Sequence, residues 1–171
     1  KRQTTVLAAN GEETATLVGQ GANRQYVTID EIPLDLQHAF VAIEDERFYD
    51  HNGIDLHGIG RAFISGLSKG RFSEGASTIT QQLIKNNVLT SWTSETSFVE
   101  KLQRKIQEQY LALELEKQVK DKDWILENYM NSVNLGANTL GVQAASKKYF
   151  NKDVSELTLS EASVIAGITQ N

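Results

Sequence analysis

The stretch of sequence that decides the fold is KLQRKIQEQYLALELE, residues 101–116. At 100° per residue, its apolar side chains and their neighbours form two strips on different faces of one helix. The first strip comprises Phe98, Leu102, Ile106 and Tyr110, and the second comprises Leu111, Ala112, Leu115 and Val119. A helix that is apolar on two sides is predicted to run through the centre of the fold.

Glu108 lies within the second of these strips. A carboxylate among apolar side chains needs a charged partner or has a function, because an unpaired buried charge is costly. Arg104 and Lys105, four and three residues earlier, are placed to pair with it along the helix. Two interpretations follow, a helical ion pair and a carboxylate of an active site.

Most of the remaining chain is helical in pattern. Besides Ser97–Lys120 around the quoted stretch, helices are predicted over Leu34–Glu46, Leu56–Ser68, Ser77–Leu89, Lys122–Ser132, Thr139–Tyr149 and Ser160–Ile168. Residues 15–18 and 25–29 are short strand candidates in a beginning rich in Thr and Gly. We therefore predict a mostly α fold, with a small N-terminal β hairpin or arm over residues 1–30 and a helical domain over residues 31–171.

Composition excludes several classes of protein. The 171 residues suit one domain, and the absence of cysteine excludes disulfides and zinc sites that need thiolates. A net charge of −5 argues against a nucleic-acid partner, which favours a basic face. No apolar run reaches the roughly 18–20 residues that cross a bilayer.

The segment from Gly75 to Asn86, GASTITQQLIKN, predicts a loop that opens into a helix at Ser77 or Thr78. Helix N-termini bind anions, and residues 57–86 carry four basic residues against one acidic residue. One polar stripe of this helix comprises Thr78, Gln81, Gln82 and Lys85. A phosphate site and a solvent-facing amphipathic helix both fit this pattern.

Residues 42–53, AIEDERFYDHNG, concentrate acids at the end of an apolar helix. Glu44 lies at the edge of the face that Phe40 and Ile43 turn toward the core. A half-buried carboxylate of this kind is suited to act as a general acid or base. Acids near a helix end are also commonly plain solvated groups, so both interpretations stand.

Five motifs in order make the chain resemble the peptidoglycan glycosyltransferase (transglycosylase) domain of class A penicillin-binding proteins, glycosyltransferase family 51. They are Glu44-Asp45-x-x-Phe48-x-x-His51-x-Gly53, Gly75 to Asn86, Arg104-Lys105-x-x-Glu108 with Leu115-Glu116, Ile125-Leu126-Glu127-x-Tyr129-Met130-Asn131, and Leu159 to Gly167. The chain departs from the family's pattern at Asn134, Asn138 and Leu140. It also stops before the family's Pro-containing segment, so the C-terminal end of the domain is expected to be truncated.

The resemblance implies a lysozyme-like helical fold of two lobes, and polymerisation of lipid II into glycan strands with inversion of configuration. Glu44 resembles the family's general base, and Glu108 the second carboxylate beside the departing pyrophosphate. The residues expected to bind substrate are Asp45, Phe48, Arg71, Ser77, Thr78, Gln81, Gln82, Lys85, Arg104, Lys105 and Asn131. The residues His51, Gly53 and Gly75 are expected to keep their motifs in shape.

The same resemblance implies the partners and the location. No cofactor is obligatory, and a divalent Mg²⁺ or Mn²⁺ near Glu108 stays open. The expected partners are lipid II, the growing glycan strand and the membrane surface, which the loop from Trp92 to Phe98 would meet as a flap. The full-length protein is expected to carry a transpeptidase domain and to lie at the outer face of the cytoplasmic membrane, anchored by a transmembrane segment outside this chain.

Two interpretations from other classes compete with this one. A lysozyme-like cell-wall hydrolase or lytic enzyme shares the fold and one catalytic glutamate, without needing the second carboxylate. A non-catalytic glycan-binding module would bind the same substrate without turning it over.

Overall fold

Helices form most of the structure, as the sequence predicts. The computed structural model describes residues 25–69, 77–88 and 98–170, together with two strands nearer the N-terminus. The described helices are α1 (Leu34–Glu44), α2 (Leu56–Lys69), α3 (Ile79–Asn87), α4 (Phe98–Val119), α5 (Lys122–Met130), α6 (Val142–Phe150) and α7 (Leu159–Gly167). Short 3₁₀ turns lie at Ile29–Glu31, Val154–Glu156 and Ile168–Gln170. The predicted mostly α fold is confirmed.

The strands form an antiparallel hairpin, β1 (Thr4–Leu7) with β2 (Glu13–Leu17), in which Thr4 pairs with Leu17. The strand expected over residues 25–29 is wrong. Residues 25–28 are extended without joining a sheet, and the 3₁₀ turn begins at Ile29. Their backbone groups bond to side chains at the C-terminal end of α5 instead of to a neighbouring strand.

The side chains of Glu127 on α5 and of Asn131, the residue that follows α5, hold this extended segment. Asn131 accepts from the backbone N–H of Val27 at 3.0 Å and donates to the Val27 carbonyl at 2.8 Å, as a strand neighbour would. Glu127 accepts from the N–H of Ile29 at 2.8 Å and from the Tyr26 hydroxyl. These contacts satisfy the backbone of Val27, whose side chain lies in the core.

The core forms where α1 packs on α7 and where α3 packs on both α4 and α5. Phe40 of α1 and Tyr129 of α5 meet edge to face in its middle, with ring centroids 6.0 Å apart and both side chains fully buried. Threonine caps the N-termini of two of these helices. Thr78 with Gln81 and Thr158 with Glu161 form capping boxes at α3 and α7, so α7 begins one residue before the predicted Ser160.

Only one of the two apolar strips of α4 is buried. Ala112 and Leu115 lie in the core, whereas Leu102, Ile106 and Tyr110 are each at least half exposed. The expectation that α4 is covered on both sides is therefore wrong for these three residues of the first strip. No helix of the described ranges is long and apolar enough to span a membrane.

Gly53, in the loop after α1, lies in close contact with the backbone of α4. Its φ is +100°, and a Cβ there would lie 2.6 Å from the carbonyl oxygen of Ala112. The Gly53 carbonyl accepts from the Thr78 hydroxyl at 2.7 Å, and its N–H donates to Nδ1 of His51 at 3.1 Å. One residue thus joins the loop, the start of α3 and the middle of α4.

We expect Gly53→Ala to lower the free energy of unfolding by about 3 kcal/mol, since it combines a left-handed backbone penalty with steric overlap against a backbone carbonyl. Urea unfolding followed by circular dichroism measures it. Gly60→Ala is the matched control, because a Cβ at that helical position would meet no atom within 4 Å beyond its neighbouring residues and its own helix backbone. That variant should hold or gain stability, by up to about 1 kcal/mol. Equal effects of the two variants would contradict a close contact between Gly53 and the backbone of α4.

Candidate active site

A cavity of about 140 Å³ opens where the end of α1 meets the starts of α2 and α3. Charged and polar groups dominate its wall. The lining residues are Ala42, Ile43, Glu44, Asp45, Glu46, Arg47, Asp55, Gly58, Arg61, Ser77 and Thr78. The structure therefore brings the first predicted motif and the beginning of the second to one cavity.

Glu44 is the last residue of α1, and its carboxylate receives donors from two other elements. Oε2 accepts from the Gln82 side-chain amide at 2.8 Å, and Oε1 accepts from the Thr169 hydroxyl. Because the C-terminal end of a helix carries partial negative charge, a carboxylate there needs such donors. Both donors point at the charge-bearing oxygens, which keeps this carboxylate fixed at the cavity.

The Tyr129 hydroxyl in turn orients Gln82. It lies 3.3 Å from Gln82 Oε1 and donates to it, which leaves the amide nitrogen of Gln82 directed at Glu44. Burial, followed by the negative charges of Glu44 and Asp45, holds the pKa of the Tyr129 phenol well above its usual value. The phenol therefore remains a donor at physiological pH.

Asp45 and His51 join the loop to the start of α3. His51 Nε2 lies 2.8 Å and 3.0 Å from the two Asp45 oxygens, and the N–H of Ile79 donates to Asp45 Oδ2 at 3.0 Å. Since His51 Nδ1 accepts from Gly53, Nε2 carries the hydrogen that bonds to Asp45. The buried Asp45 carboxylate thus meets the partial positive charge at a helix N-terminus, a favourable place for an anion.

Arg47 and Asp55 add an ion pair that is not among the residues predicted from the sequence. Arg47 Nε and Nη2 donate to the two Asp55 oxygens at 3.2 Å and 2.5 Å. This bond holds the pKa of the Asp55 carboxyl at about 2. An acid directly before the predicted helix at Leu56 is a helix N-cap signal and could have identified Asp55. Its arginine partner is eight residues away, beyond any local pattern.

A second cluster surrounds Glu108 on α4, which is 2% exposed. Lys105 Nζ lies 3.2 Å from Glu108 Oε2, and Arg104 Nε lies 3.5 Å from Oε1. Lys105 also donates to the hydroxyl of Ser77, which lines the cavity. Glu108 is therefore paired, and its lysine connects the third motif to the cavity.

The groups around Glu108 do not fit a divalent metal. Mg²⁺ and Mn²⁺ take several oxygen ligands, whereas Glu108 faces a guanidinium and an ammonium group. Within the described ranges, no group of three histidine, aspartate or glutamate residues is placed to hold a metal ion. We assign no step of the chemistry to one.

Several residues expected to bind substrate make contacts within the protein. Phe48 is buried beneath Lys122, whose ammonium lies 4.6 Å from the ring centroid, and the amide of Asn131 holds Val27. Thr78 and Gln81 form the buried capping box of α3, whereas Lys85 is exposed on that helix. A substrate contact at these positions stays a prediction.

Other expected positions lie outside the described residues. They are Arg71, Gly75 and the loop from Trp92 to residue 97, with the side chain of Phe98.

The sequence is similar to a known protein family and to several characterised proteins. A family model described as Transglycosylase matches residues 10–171. Penicillin-binding protein 1A of Clostridium botulinum is 49% identical over 155 residues, which is 87% of this chain and 18% of that protein. Penicillin-binding protein 1F of Bacillus subtilis is 44% identical over 95% of this chain and 21% of that protein, and penicillin-binding protein 1A of Escherichia coli is 46% identical over 95% and 18%.

The chain spans about a fifth of the length of these curated relatives. The family match covers all five motifs, and the cavity brings together the acids of the first motif with the helix start of the second. The resemblance predicted from the motifs is confirmed. The chain belongs to the transglycosylase family, as a peptidoglycan glycosyltransferase domain of the class A penicillin-binding protein type.

Proposed function

We propose that this domain polymerises lipid II, joining a growing glycan strand, activated as a lipid pyrophosphate, to the sugar 4-hydroxyl of an incoming lipid II. The observation that carries the proposal is the Glu44 carboxylate at the cavity, held by Gln82 and Thr169. A fixed carboxylate, with a lysine reaching Ser77 on the same wall, supplies a base and a cation for the two ends of the reaction.

Glu44 acts as the general base in this proposal. It takes the proton of the attacking 4-hydroxyl while that oxygen bonds to the anomeric carbon of the donor. The bond between that carbon and the pyrophosphate oxygen breaks on the opposite face, which inverts the configuration. The Gln82 and Thr169 donors keep the carboxylate oriented before the proton arrives.

Lys105 and Arg104 offset the negative charge that develops on the departing pyrophosphate. Glu108 holds both cations by ion pairs, so its part is to fix their position. Lys85, exposed on α3, and Arg71 are proposed to add further positive charge. Ser77 and Gln82 are proposed to contact sugar or phosphate groups, while Thr78 and Gln81 hold the start of α3 in place.

We expect Glu44→Gln to reduce polymerisation of lipid II in detergent by about 10²- to 10⁴-fold, because an amide cannot accept the proton. Glycan strands are separated by gel electrophoresis and counted from labelled lipid II. Glu114→Gln is the control, since this α4 glutamate is partly exposed and pairs only loosely with Lys117 at 3.7 Å. It should keep the activity of the parent chain.

Three other outcomes would point elsewhere. Equal polymerisation by the parent and Glu44→Gln would remove Glu44 as the base. Soluble muropeptides released from purified cell wall, without polymer, would favour the hydrolase. Lipid II that binds to both variants without turnover would favour the glycan-binding module.

Removing the Lys105 ammonium should slow the departure of pyrophosphate. We expect Lys105→Met to lower kcat by about 10²-fold, comparable to the loss of one donor that stabilises transition-state charge. Steady-state kinetics measures this, with thermal unfolding to confirm that the variant is folded. Lys117→Met, an exposed lysine of the same helix, should leave kcat unchanged. A kcat for Lys105→Met within twofold of the parent would refute a part in leaving-group stabilisation.

We propose that the exposed strip of α4 meets the membrane surface at the outer face of the cytoplasmic membrane. Val99, Leu102, Ile106 and Tyr110 are each at least half exposed and lie at helical spacing along one face. The loop from Trp92 to Phe98, predicted to act as a flap, leads directly into this helix. A lipid-linked substrate suits such a surface.

The names of the relatives support a transpeptidase domain in the whole protein.

We expect Ile106→Asp to weaken binding to anionic phospholipid vesicles by about tenfold, since it places a charge on the apolar strip. Flotation of vesicles with bound protein measures this. Val164→Asp is the control, because Val164 on α7 is 57% exposed and Ile106 is 58% exposed. If both variants floated equally with the vesicles, the strip would not be the membrane contact.

A further inference from the structure

The hydroxyl of Thr169 lies between two acceptors. Thr169 lies in the 3₁₀ turn Ile168–Gln170, directly after α7. Its hydroxyl contacts Glu44 Oε1 and lies 2.9 Å from the carbonyl oxygen of Ala166. Because α7 packs on α1, the 3₁₀ turn that follows α7 lies beside Glu44, the last residue of α1. The contact joins residues 125 positions apart in the chain.

A threonine hydroxyl has one hydrogen and two lone pairs. It can therefore donate to only one of the two acceptors at a time. With Glu44 ionised, the charged oxygen is the stronger acceptor and takes the hydrogen. With Glu44 protonated, the hydroxyl can turn its hydrogen to the Ala166 carbonyl and accept a hydrogen bond from the carboxylic acid.

We propose that Thr169 is a positioning residue that holds Glu44 in both of its protonation states. The inference rests on the proposed function, in which Glu44 gains a proton during each turnover. The proton moves from the sugar hydroxyl to Glu44 and is later released to solvent, while the Thr169 hydrogen only rotates between its two acceptors. One hydrogen bond between the two side chains persists in either arrangement.

The opposite oxygen of Glu44 shows why a hydroxyl is suited to this position. Gln82 reaches Oε2 through its amide nitrogen, which only donates, and its amide is oriented by the Tyr129 hydroxyl. An amide nitrogen that donates to Oε2 has no lone pair with which to accept a proton from it. Oε1 is therefore the oxygen whose described partner can change from donor to acceptor when the proton arrives.

The test compares Thr169→Val, which keeps the shape and removes the hydroxyl, with Thr169→Ser, which restores it. In lipid II polymerisation by this chain in detergent, we expect Thr169→Val to lower kcat by about 10- to 100-fold with KM within twofold, the loss expected for a hydrogen bond to a charged group. Thr169→Ser should recover kcat to within about threefold of the parent. Thermal unfolding should show that both variants are folded.

Ser163→Ala is the matched control. The Ser163 hydroxyl also bonds to a backbone carbonyl of α7, that of Leu159 at 2.9 Å, and its position is exposed. It should keep the kcat of the parent.

Three results would overturn the inference while Glu44→Gln is inactive. They are an unchanged kcat for Thr169→Val, an effect confined to KM, and a serine variant as slow as the valine variant. In each case the proposed function would stand without it. An active Glu44→Gln variant would instead remove the proposed base, and the inference with it.

Discussion

The arrangement of the site depends on the Asp45 carboxylate, which is buried and bonded from two directions. His51 approaches it from the loop, and the N–H of Ile79 approaches it from the start of α3. Because α1 ends at Glu44, the helix itself does not fix the direction that the chain takes after this residue. Because Asp45 is pinned to α3, the preceding Glu44 is placed opposite Gln82, three residues into the same helix. The side chain that anchors Glu44, the proposed base, is thus that of its neighbour in sequence.

Next to the loop that holds Asp45 and His51, charged side chains in the interior are paired with groups of opposite charge or with hydrogen-bond donors. Lys122 bonds to Glu116 at 2.7 Å and to the carbonyl of His51 at 2.7 Å, while the Thr80 hydroxyl donates to Glu116 at 2.6 Å. Three helices and the loop of the first motif share this network. An unpaired charge here would cost several kcal/mol, so the network defines one arrangement of α3, α4 and α5. A fixed network of this kind suits the proposed reaction, in which charge at the neighbouring site changes.

The sequence predicted the elements and the motifs well because both are local signals. Helical periodicity identified α4, and the spacing of Arg104 and Lys105 from Glu108 indicated the pairing that the structure shows. Periodicity did not reveal which apolar strip would be covered, since coverage depends on where α3 packs. Thr169 and Arg47 were missed for a related reason. Their partners are set by tertiary packing, and a threonine near a helix end has many ordinary uses.

The clasp of Asn131 and Glu127 on residues 26–29 has a mechanical consequence. The N-terminal hairpin leads into this extended segment, so tension on that end of the chain enters the helical domain at the last turn of α5. Tyr129 lies in the same turn, and its hydroxyl orients Gln82 against Glu44. A force on the N-terminal end of the domain is therefore transmitted to the helical turn that orients Gln82 toward Glu44.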